Sequence, residues 1–473
     1  MKFEDTITAP ATVPGTGALS FIRISGGEAL TVVDRLVEFA NGNAASSKGG
    51  RCKFGTVHKD GGILDEVIVN IYKAPHSYTG EDSAELMCHA SPYIVSSILE
   101  MALSFGCRMA SPGEFTQRAF INGKMDLSQA EAVADVISSS DAASHKLAFT
   151  QLKGGISAEI GVLRDRLLEM TSLLELELDF SEEDVEFADR DKLMTLLDGA
   201  VEKVSRLVDS FRLGNAIKNG IPVAITGPAN AGKSTLLNRI VGENRAIVSD
   251  IAGTTRDTIE ECVNVDGITF RFIDTAGIRE AEGEVEKIGI ERSFESVKKA
   301  ETVIIVIDEE STSVPEIIDR IDFRSQQVIF ALNKADLEGK NSLNIFVNGC
   351  NNIVSLLKNK GISNDSVKFI KISAKNGEGV EELLKTISTC EKKKLDSCAS
   401  DSSVLVSNLR HYEVLSTALE QLRTVRTSLH SGLSAELVSE DLRAVLTTLS
   451  SITGAITTDE VLGEIFGRFC IGK

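Results

Sequence analysis

The spacing of apolar residues divides this chain into four stretches. In residues 1–120, short β-like runs at 18–24, 67–72 and 84–89 alternate with Gly, Pro and Asn turns, and 92–105 fits a helix. From 126 to 212 the period lengthens. Leu127, Ala130, Val133, Ala134 and Ile137 recur three and four residues apart, and Leu163, Leu167, Leu174 and Leu178 continue the pattern. Such spacing puts one apolar stripe along long amphipathic helices. From 221 to 392 the texture changes again, to continuous apolar runs at 221–226, 302–307 and 328–332, each closed by Gly, Asp or Asn. Runs of that kind are expected of parallel strands buried on both faces. A polar stretch at 391–403 precedes a return of helical spacing over 409–449. The predicted architecture is a multidomain α/β chain. An α/β N-terminal domain (1–120) is followed by a discontinuous helical domain (121–217 and 393–473), into which a second α/β domain (218–392) is inserted.

Composition narrows the classes. With 473 residues, 42% hydrophobic and 25% charged, the chain has the make-up of a soluble globular protein of several domains. No apolar run is long enough for a membrane span, and the acidic start, Met1-Lys2-Phe3-Glu4-Asp5, lacks the pattern of a secretory or transit leader. Eight cysteines without a C-x-x-C pair fit reduced thiols of a cytoplasmic protein better than a disulfide scaffold or zinc ribbon. The formal charge of −19 argues against broad, charge-driven binding to nucleic acid. All four stretches are net acidic: −3 for 1–120, −8 for 121–220, −6 for 221–392 and −2 for 393–473. Any nucleic-acid contact must therefore be local or made through a partner. The densest acid, from Glu175 to Glu186, reads as a solvated helix end and loop.

The inserted domain carries the chemistry. Gly227-Pro228-Ala229-Asn230-Ala231-Gly232-Lys233-Ser234 fits G-x-x-x-x-G-K-[ST] between the strand run and a helix expected near Thr235. Backbone N–H groups of such a loop cradle phosphates, with Lys233 reaching the β/γ-phosphates and Ser234 ligating Mg²⁺. Asp274-Thr275-Ala276-Gly277 follows the next run, placing Asp274 to hold Mg²⁺ through water and the Gly277 N–H to sense the γ-phosphate. Asn333-Lys334-Ala335-Asp336 supplies a carboxylate for the N1–H and exocyclic amine of guanine. Adenine lacks those donors and would leave that carboxylate unpaired. Ser373-Ala374-Lys375 fits the loop that closes over the base, and a threonine of Gly253-Thr254-Thr255 suits the switch ligand to Mg²⁺. Four motifs in this order, each at a strand end, define a Ras-like P-loop GTPase domain that takes GTP. The position after the D-x-x-G motif is Ile278, which cannot orient water as a glutamine does in many GTPases. Asn230 is placed to ligate a monovalent cation that neutralises developing charge, and Glu286 is a candidate for orienting water.

Beyond these motifs, the chain resembles the MnmE (TrmE) family of tRNA-modification GTPases over essentially its whole length. The resemblance rests on Asp5-Thr6-Ile7, on Phe21-Ile22-Arg23-Ile24-Ser25-Gly26 and on Tyr78-Thr79-Gly80-Glu81-Asp82. It also rests on Arg108, Pro112-Gly113-Glu114-Phe115, Arg118-Ala119-Phe120, Asn122 and Lys124. Asp250 to Asp257, Glu284-Val285-Glu286, Ile288 to Arg292 and the C-x-G-K ending at Lys473 agree as well. It implies a tetrahydrofolate-binding, dimerising N-terminal domain, with Arg23, Glu81, Lys124 and Lys473 at folate-contacting positions and 5-formyl- or 5,10-methylene-tetrahydrofolate as the one-carbon carrier. It implies nucleotide contacts over Asn230 to Thr235 (Ala231, Gly232 and Thr235 included) and over Ser249 to Thr255 (Asp250 and Ala252 included). It implies K⁺ held by Asn230, Ser249, Ile251 and Thr254, Mg²⁺ held by Ser234 and Thr255, and Glu286 as the water-orienting glutamate, with Lys233 and Asn230 in the catalytic set.

The implied partners are a second copy of the chain and an MnmG protein carrying FAD. With MnmG the family installs a carboxymethylaminomethyl or aminomethyl group at C5 of the wobble uridine of certain tRNAs. Two departures stand out: Ala229 where the family usually has Pro, and Ser249 where Thr is more usual. Cys470 matches the family cysteine, either as a reactive thiol or as a structural residue. The other reading is a regulatory or ribosome-associated GTPase of the Era or EngA kind, without one-carbon chemistry. Those chains carry a KH or KH-like domain, and no G-x-x-G loop with a basic helix is visible here. The acidic balance then means that tRNA is reached mainly through the complex.

Overall fold

The structure, a computed structural model, describes residues 4–179, 190–228, 230–244, 260–273, 296–308, 314–323, 326–336, 353–358, 367–399, 404–456, 459–467, 469 and 472. It resolves into two compact units. The first combines 1–134, 151–200 and 420–473; the second combines 135–150 and 201–419.

The first unit is built on a seven-stranded sheet of order β3-β4-β5-β6-β2-β1-β7. Its strands are β1 (Ile7–Pro10), β2 (Leu19–Ser25), β3 (Val37–Phe39), β4 (Arg51–Lys59), β5 (Gly62–Tyr72), β6 (Ser83–His89) and β7 (Arg108–Met109). The pairing is antiparallel except for β1 with β7. Along β5 buried residues alternate with half-buried or exposed ones, so one face is covered. Val67, Val69 and Ile71 supply that face and join Val33 of helix α1 (Ala29–Leu36) and Ile98 of helix α2 (Pro92–Ser104) in one core cluster. The helix begins at Pro92 because proline has no N–H to lose in the first turn. Strand β4 falls where no run was expected, since Arg51, Lys53 and Thr56 break the apolar signal and pairing with β5 supplies the order; β3, three residues long, is ordered by pairing with β4.

Helices α3 (Glu114–Ile121), α4 (Leu127–Ser138), α5 (Ala142–Leu152), α6 (Gly155–Asp179) and α7 (Arg190–Asn219) follow. Leu127 and Ala130 of α4 pack with Leu462, Phe466 and Phe469 from the far end of the chain, which brings the C-terminal segment back to the first unit.

The second unit holds a six-stranded sheet of order β13-β12-β11-β8-β10-β9. Its strands are β8 (Ile221–Thr226), β9 (Glu260–Val265), β10 (Ile268–Ile273), β11 (Thr302–Ile307), β12 (Gln327–Leu332) and β13 (Val367–Lys371). All neighbours run parallel except β9 with β10. Alternate residues of each central strand enter two separate cores. Val223, Ile225, Ile304 and Val306 lie on one side, and Ala224, Val303, Ile305 and Phe330 on the other. Burial on both faces is what the unbroken apolar runs require. Helix α8 (Lys233–Asn244) starts at Lys233, two residues before the expected Thr235. Helix α9 (Val314–Ile318) is short, and α10 (Val380–Ala399) runs through most of the stretch read as a polar connection. The reason is tertiary: Glu391 is buried there and accepts a hydrogen bond from Thr302 (3.4 Å). Helices α11 (Leu409–His430), α12 (Ala435–Thr453) and α13 (Asp459–Gly467) complete the chain, and α6 packs along α12 within the first unit. No helix among the described residues is long and apolar enough to cross a membrane.

Candidate functional site

The nucleotide loop leaves the carboxyl end of β8, the central strand of the parallel sheet. Two glycines in it are obligatory. A Cβ on Gly227 would lie 2.0 Å from the Val306 carbonyl oxygen, and one on Gly232 would lie 2.1 Å from Asn333 Nδ2. Both also have positive φ, as does Asn230 at 59°. The backbone there takes conformations that side-chain-bearing residues rarely adopt, as a loop whose N–H groups are to turn towards a phosphate requires. Lys233 Nζ folds over the loop and donates to the carbonyls of Gly227 (3.0 Å) and Pro228 (2.7 Å). Burial pushes its pKa below the ordinary lysine value, so an incoming phosphate would restore what desolvation costs the ammonium. Ala231 is buried, and Ser234 and Thr235 are exposed in the first turn of α8, where a hard oxygen donor can meet Mg²⁺.

The guanine motif is built from three loops. Asn333 Nδ2 donates to the Ala231 carbonyl (2.8 Å), and its Oδ1 accepts from the Ala374 N–H (2.9 Å). One side chain thus ties the phosphate loop to the base-closing loop. This gives Asn333 a positioning role beyond the base contact expected from sequence. Asp336 accepts from the Ser373 hydroxyl (2.8 Å), which holds its carboxyl below the ordinary aspartate value and keeps it an acceptor for guanine N–H donors. Ala335 N–H donates to the Ile372 carbonyl (3.1 Å), and the Lys375 carbonyl accepts from Arg239 of α8. Lys334, at φ 66°, pairs with Asp308 (2.6 Å). Sequence reading passed over Asp308. Its signal was the position directly after β11, at the same sheet edge as the other motifs. The residues expected at 249–255, at 274–277 and at Glu286 lie outside the described residues.

In the first unit, Arg23 of β2 sits against a pocket of about 280 Å³ lined also by Tyr72, His76, Tyr78 and Glu85. Its guanidinium pairs with Glu85 (2.8 Å), lies 5.2 Å from the Tyr78 ring centre and 5.5 Å from that of Phe115, and donates to the Gly472 carbonyl (3.4 Å). The chain terminus therefore arrives beside Arg23, although Lys473 itself is outside the described residues. Glu81 and Lys124 do not line this pocket. Lys124 Nζ donates to the Pro75 carbonyl (2.9 Å). Glu81 accepts from Ser25 Oγ (2.8 Å) and from the fully buried Arg118 (3.3 Å).

Arg118 also binds the Asp5 carboxylate (2.7 Å) and Glu114 (2.9 Å), while Arg108 binds the same two carboxylates. Burial raises the pKa of Glu114, but hydrogen bonds from Arg108, the Ser111 N–H and Arg118 outweigh it and leave the carboxyl below its ordinary value. Asp5 is lowered by the same balance, with burial offset by both guanidiniums. The sequence held Arg118 and Glu114 in its family motifs but gave no sign that they join Glu81. Only the packing of α3 on β1 does that. Among the described residues, no group of three or more His, Cys, Asp or Glu is arranged to hold a metal ion.

A Gly-rich phosphate loop on the central strand of a mostly parallel sheet, with Asp336 and Ser373 at the same edge, defines a P-loop domain of the guanine-nucleotide class. A family model described as "GTP-binding protein TrmE N-terminus" matches residues 6–124, and one described as "MnmE helical domain" matches residues 127–470. The tRNA modification GTPase MnmE of Bacteroides thetaiotaomicron is 48% identical over 476 residues, covering 99% of this chain and 100% of that protein. The proteins of that name from Parabacteroides distasonis (46%) and Flavobacterium johnsoniae (45%) cover 99% of this chain and 100% and 99% of their own lengths. The chain belongs to the MnmE family of tRNA modification GTPases.

Proposed function

We propose that this chain hydrolyses GTP in a K⁺-dependent cycle. With an FAD-carrying MnmG partner, that cycle drives addition of a carboxymethylaminomethyl or aminomethyl group at C5 of the wobble uridine of certain tRNAs in the cytoplasm. The observation that carries the nucleotide reading is the Asn333 bridge, which holds phosphate loop and base loop in one frame. Loop N–H groups and Lys233 bind and orient the triphosphate, and Asp336 selects guanine. Ser234 and Thr255 would hold Mg²⁺. Asn230, with oxygens of Ser249, Ile251 and Thr254, would hold K⁺. When bound, these ions supply positive charge where an arginine finger acts in other GTPases. Glu286 orients the attacking water, since Ile278 cannot.

The N-terminal module is read as the site of a tetrahydrofolate one-carbon unit. Arg23, Glu81, Lys124 and Lys473 are its contacts, the cationic groups suiting folate carboxylates and the carboxylate suiting pterin N–H donors. The functional unit is a homodimer joined by MnmG. The test is nucleoside analysis of tRNA from cells lacking this protein. Loss of the wobble-uridine modification is expected, and an unchanged nucleoside profile refutes the reading.

A further inference from the structure

The base-closing loop is anchored differently at its root and at its tip. At the root, Ser373 is buried. Its N–H donates to the Glu378 carbonyl (2.9 Å), its carbonyl accepts from the Gly377 N–H (2.8 Å), and its hydroxyl donates to Asp336 (2.8 Å). Ala374, also buried, donates its N–H to Asn333 (2.9 Å). Lys375 and Asn376 form the tip, and both are exposed. The place of Lys375 matters to guanine recognition. After the Ser373 hydrogen bond, which is the largest influence, the positive charge of Lys375 also helps hold the Asp336 carboxyl below the ordinary aspartate value.

The tie to this tip comes from outside the loop. The Arg239 guanidinium donates to the Lys375 carbonyl. Arg239 stands six residues after Lys233 on α8, about 9 Å further along the helix axis. Helical side chains lean toward the amino end of their helix. Here that end carries the phosphate-binding lysine, so the long Arg239 side chain reaches back toward the nucleotide. Its helix is a firm support, because Leu236 and Ile240 are buried in the same core cluster as Ile372 and Ala374. Two links therefore run between the phosphate and base halves of the site. Asn333 joins the phosphate loop to the root of the base loop, and Arg239 joins the phosphate helix to its tip.

We propose that Arg239 is a positioning residue for guanine nucleotides. Acting through the Lys375 carbonyl, it sets the tip of the base-closing loop before the nucleotide arrives and keeps the base in register with the triphosphate. Binding then spends less on ordering the loop, and the gain appears as slower release. The inference rests on the reading of this site as a GTP site and adds a residue that determines how tightly its guanine half is held.

The full-length protein in buffer with K⁺ and Mg²⁺ tests it, through release of a fluorescent GDP analogue and competition by inorganic tripolyphosphate. Arg239→Ala should release the GDP analogue about three- to tenfold faster, the size of one net hydrogen bond, and raise KM for GTP by a similar factor. Its kcat at saturating GTP should stay within about twofold of wild type. Affinity for tripolyphosphate, which offers the loop N–H groups and Lys233 a ligand without a base, should not change. Arg239→Lys keeps a cationic donor on a long stem and should recover most of the loss. A merely structural role would weaken both ligands alike. Wild-type GDP release in Arg239→Ala, an equal loss of tripolyphosphate affinity, or Arg239→Lys as impaired as Arg239→Ala overturns the proposal. A wild-type protein that binds no GDP refutes the nucleotide reading and the role of Arg239 together. Wild-type binding with unaltered release in Arg239→Ala refutes the role of Arg239 alone.

Discussion

Replacing Arg118 by methionine removes the cation at the centre of the N-terminal network. Arg118 is fully buried and reaches Asp5, Glu81 and Glu114 with two nitrogens. The side chains of Glu114 and Glu81 are 5% and 15% exposed, so both would be left buried with less compensation; Asp5, at 44%, adds little because water screens it. Breaking a buried pair from one side costs about 3–5 kcal/mol. At 1.4 kcal/mol per tenfold, that is roughly a 150- to 3,500-fold rise in the local opening constant. Native-state hydrogen exchange on the full chain reads this directly. The Arg108 and Ala110 amides donate to the Thr6 and Thr8 carbonyls, adjoining the Asp5 carbonyl that Arg118 also binds. Their exchange should accelerate by that factor, while amides of β11 in the second unit keep their rates. Arg118→Lys should fall between the two, because an ammonium cannot span three carboxylates as a guanidinium does. Exchange at Arg108 and Ala110 within threefold of wild type would refute the reasoning and show that Arg108 alone compensates the cluster.

Four further outcomes are expected. Gly232→Ala puts a Cβ 2.1 Å from Asn333 Nδ2 at a φ of 97° and should weaken GTP binding by at least about fivefold in a fluorescent-nucleotide titration; unchanged affinity would remove the Asn333 bridge from the argument. GTP turnover should be much faster in KCl than in NaCl, and equal rates would sink the cation role of Asn230. Glu286→Ala should bind GTP normally and lose hydrolysis in a phosphate-release assay; normal turnover would exclude it. Asp5 and Glu114 titrate below their ordinary values of 3.8 and 4.5, so their stabilisation is present above those values and disappears as pH falls through the lower folded-state values. Exchange protection of β1 should accordingly hold to about pH 4.5 and decline below it, and protection that rises on acidification would contradict the sign.

Local periodicity was enough to read the parallel sheet. Strands β8 and β11 fall on the expected residues because a strand buried on both faces leaves an uninterrupted apolar run. The phosphate loop and guanine motif were equally legible, since each depends on residue types at fixed spacing next to a strand end. Strand β4 was not, because Arg51, Lys53 and Thr56 interrupt the apolar pattern, and β3 was not, because three residues are too few to show one; both are ordered by their partners. The polar run after Glu391 misled for a related reason: its helix is fixed by a buried contact with Thr302, which composition cannot show.

The sequence by itself determined the class of ligand, through a lysine, glycines and an aspartate whose chemistry is local to their own loops. The tertiary structure decided which residues act together. Asn333 joins two loops some forty to a hundred residues away in sequence, Arg118 gathers carboxylates from its own helix and from two loops, and the terminus is brought to Arg23. Spacing along a chain constrains only neighbours, whereas electrostatics and hydrogen bonding act through distances that folding alone sets.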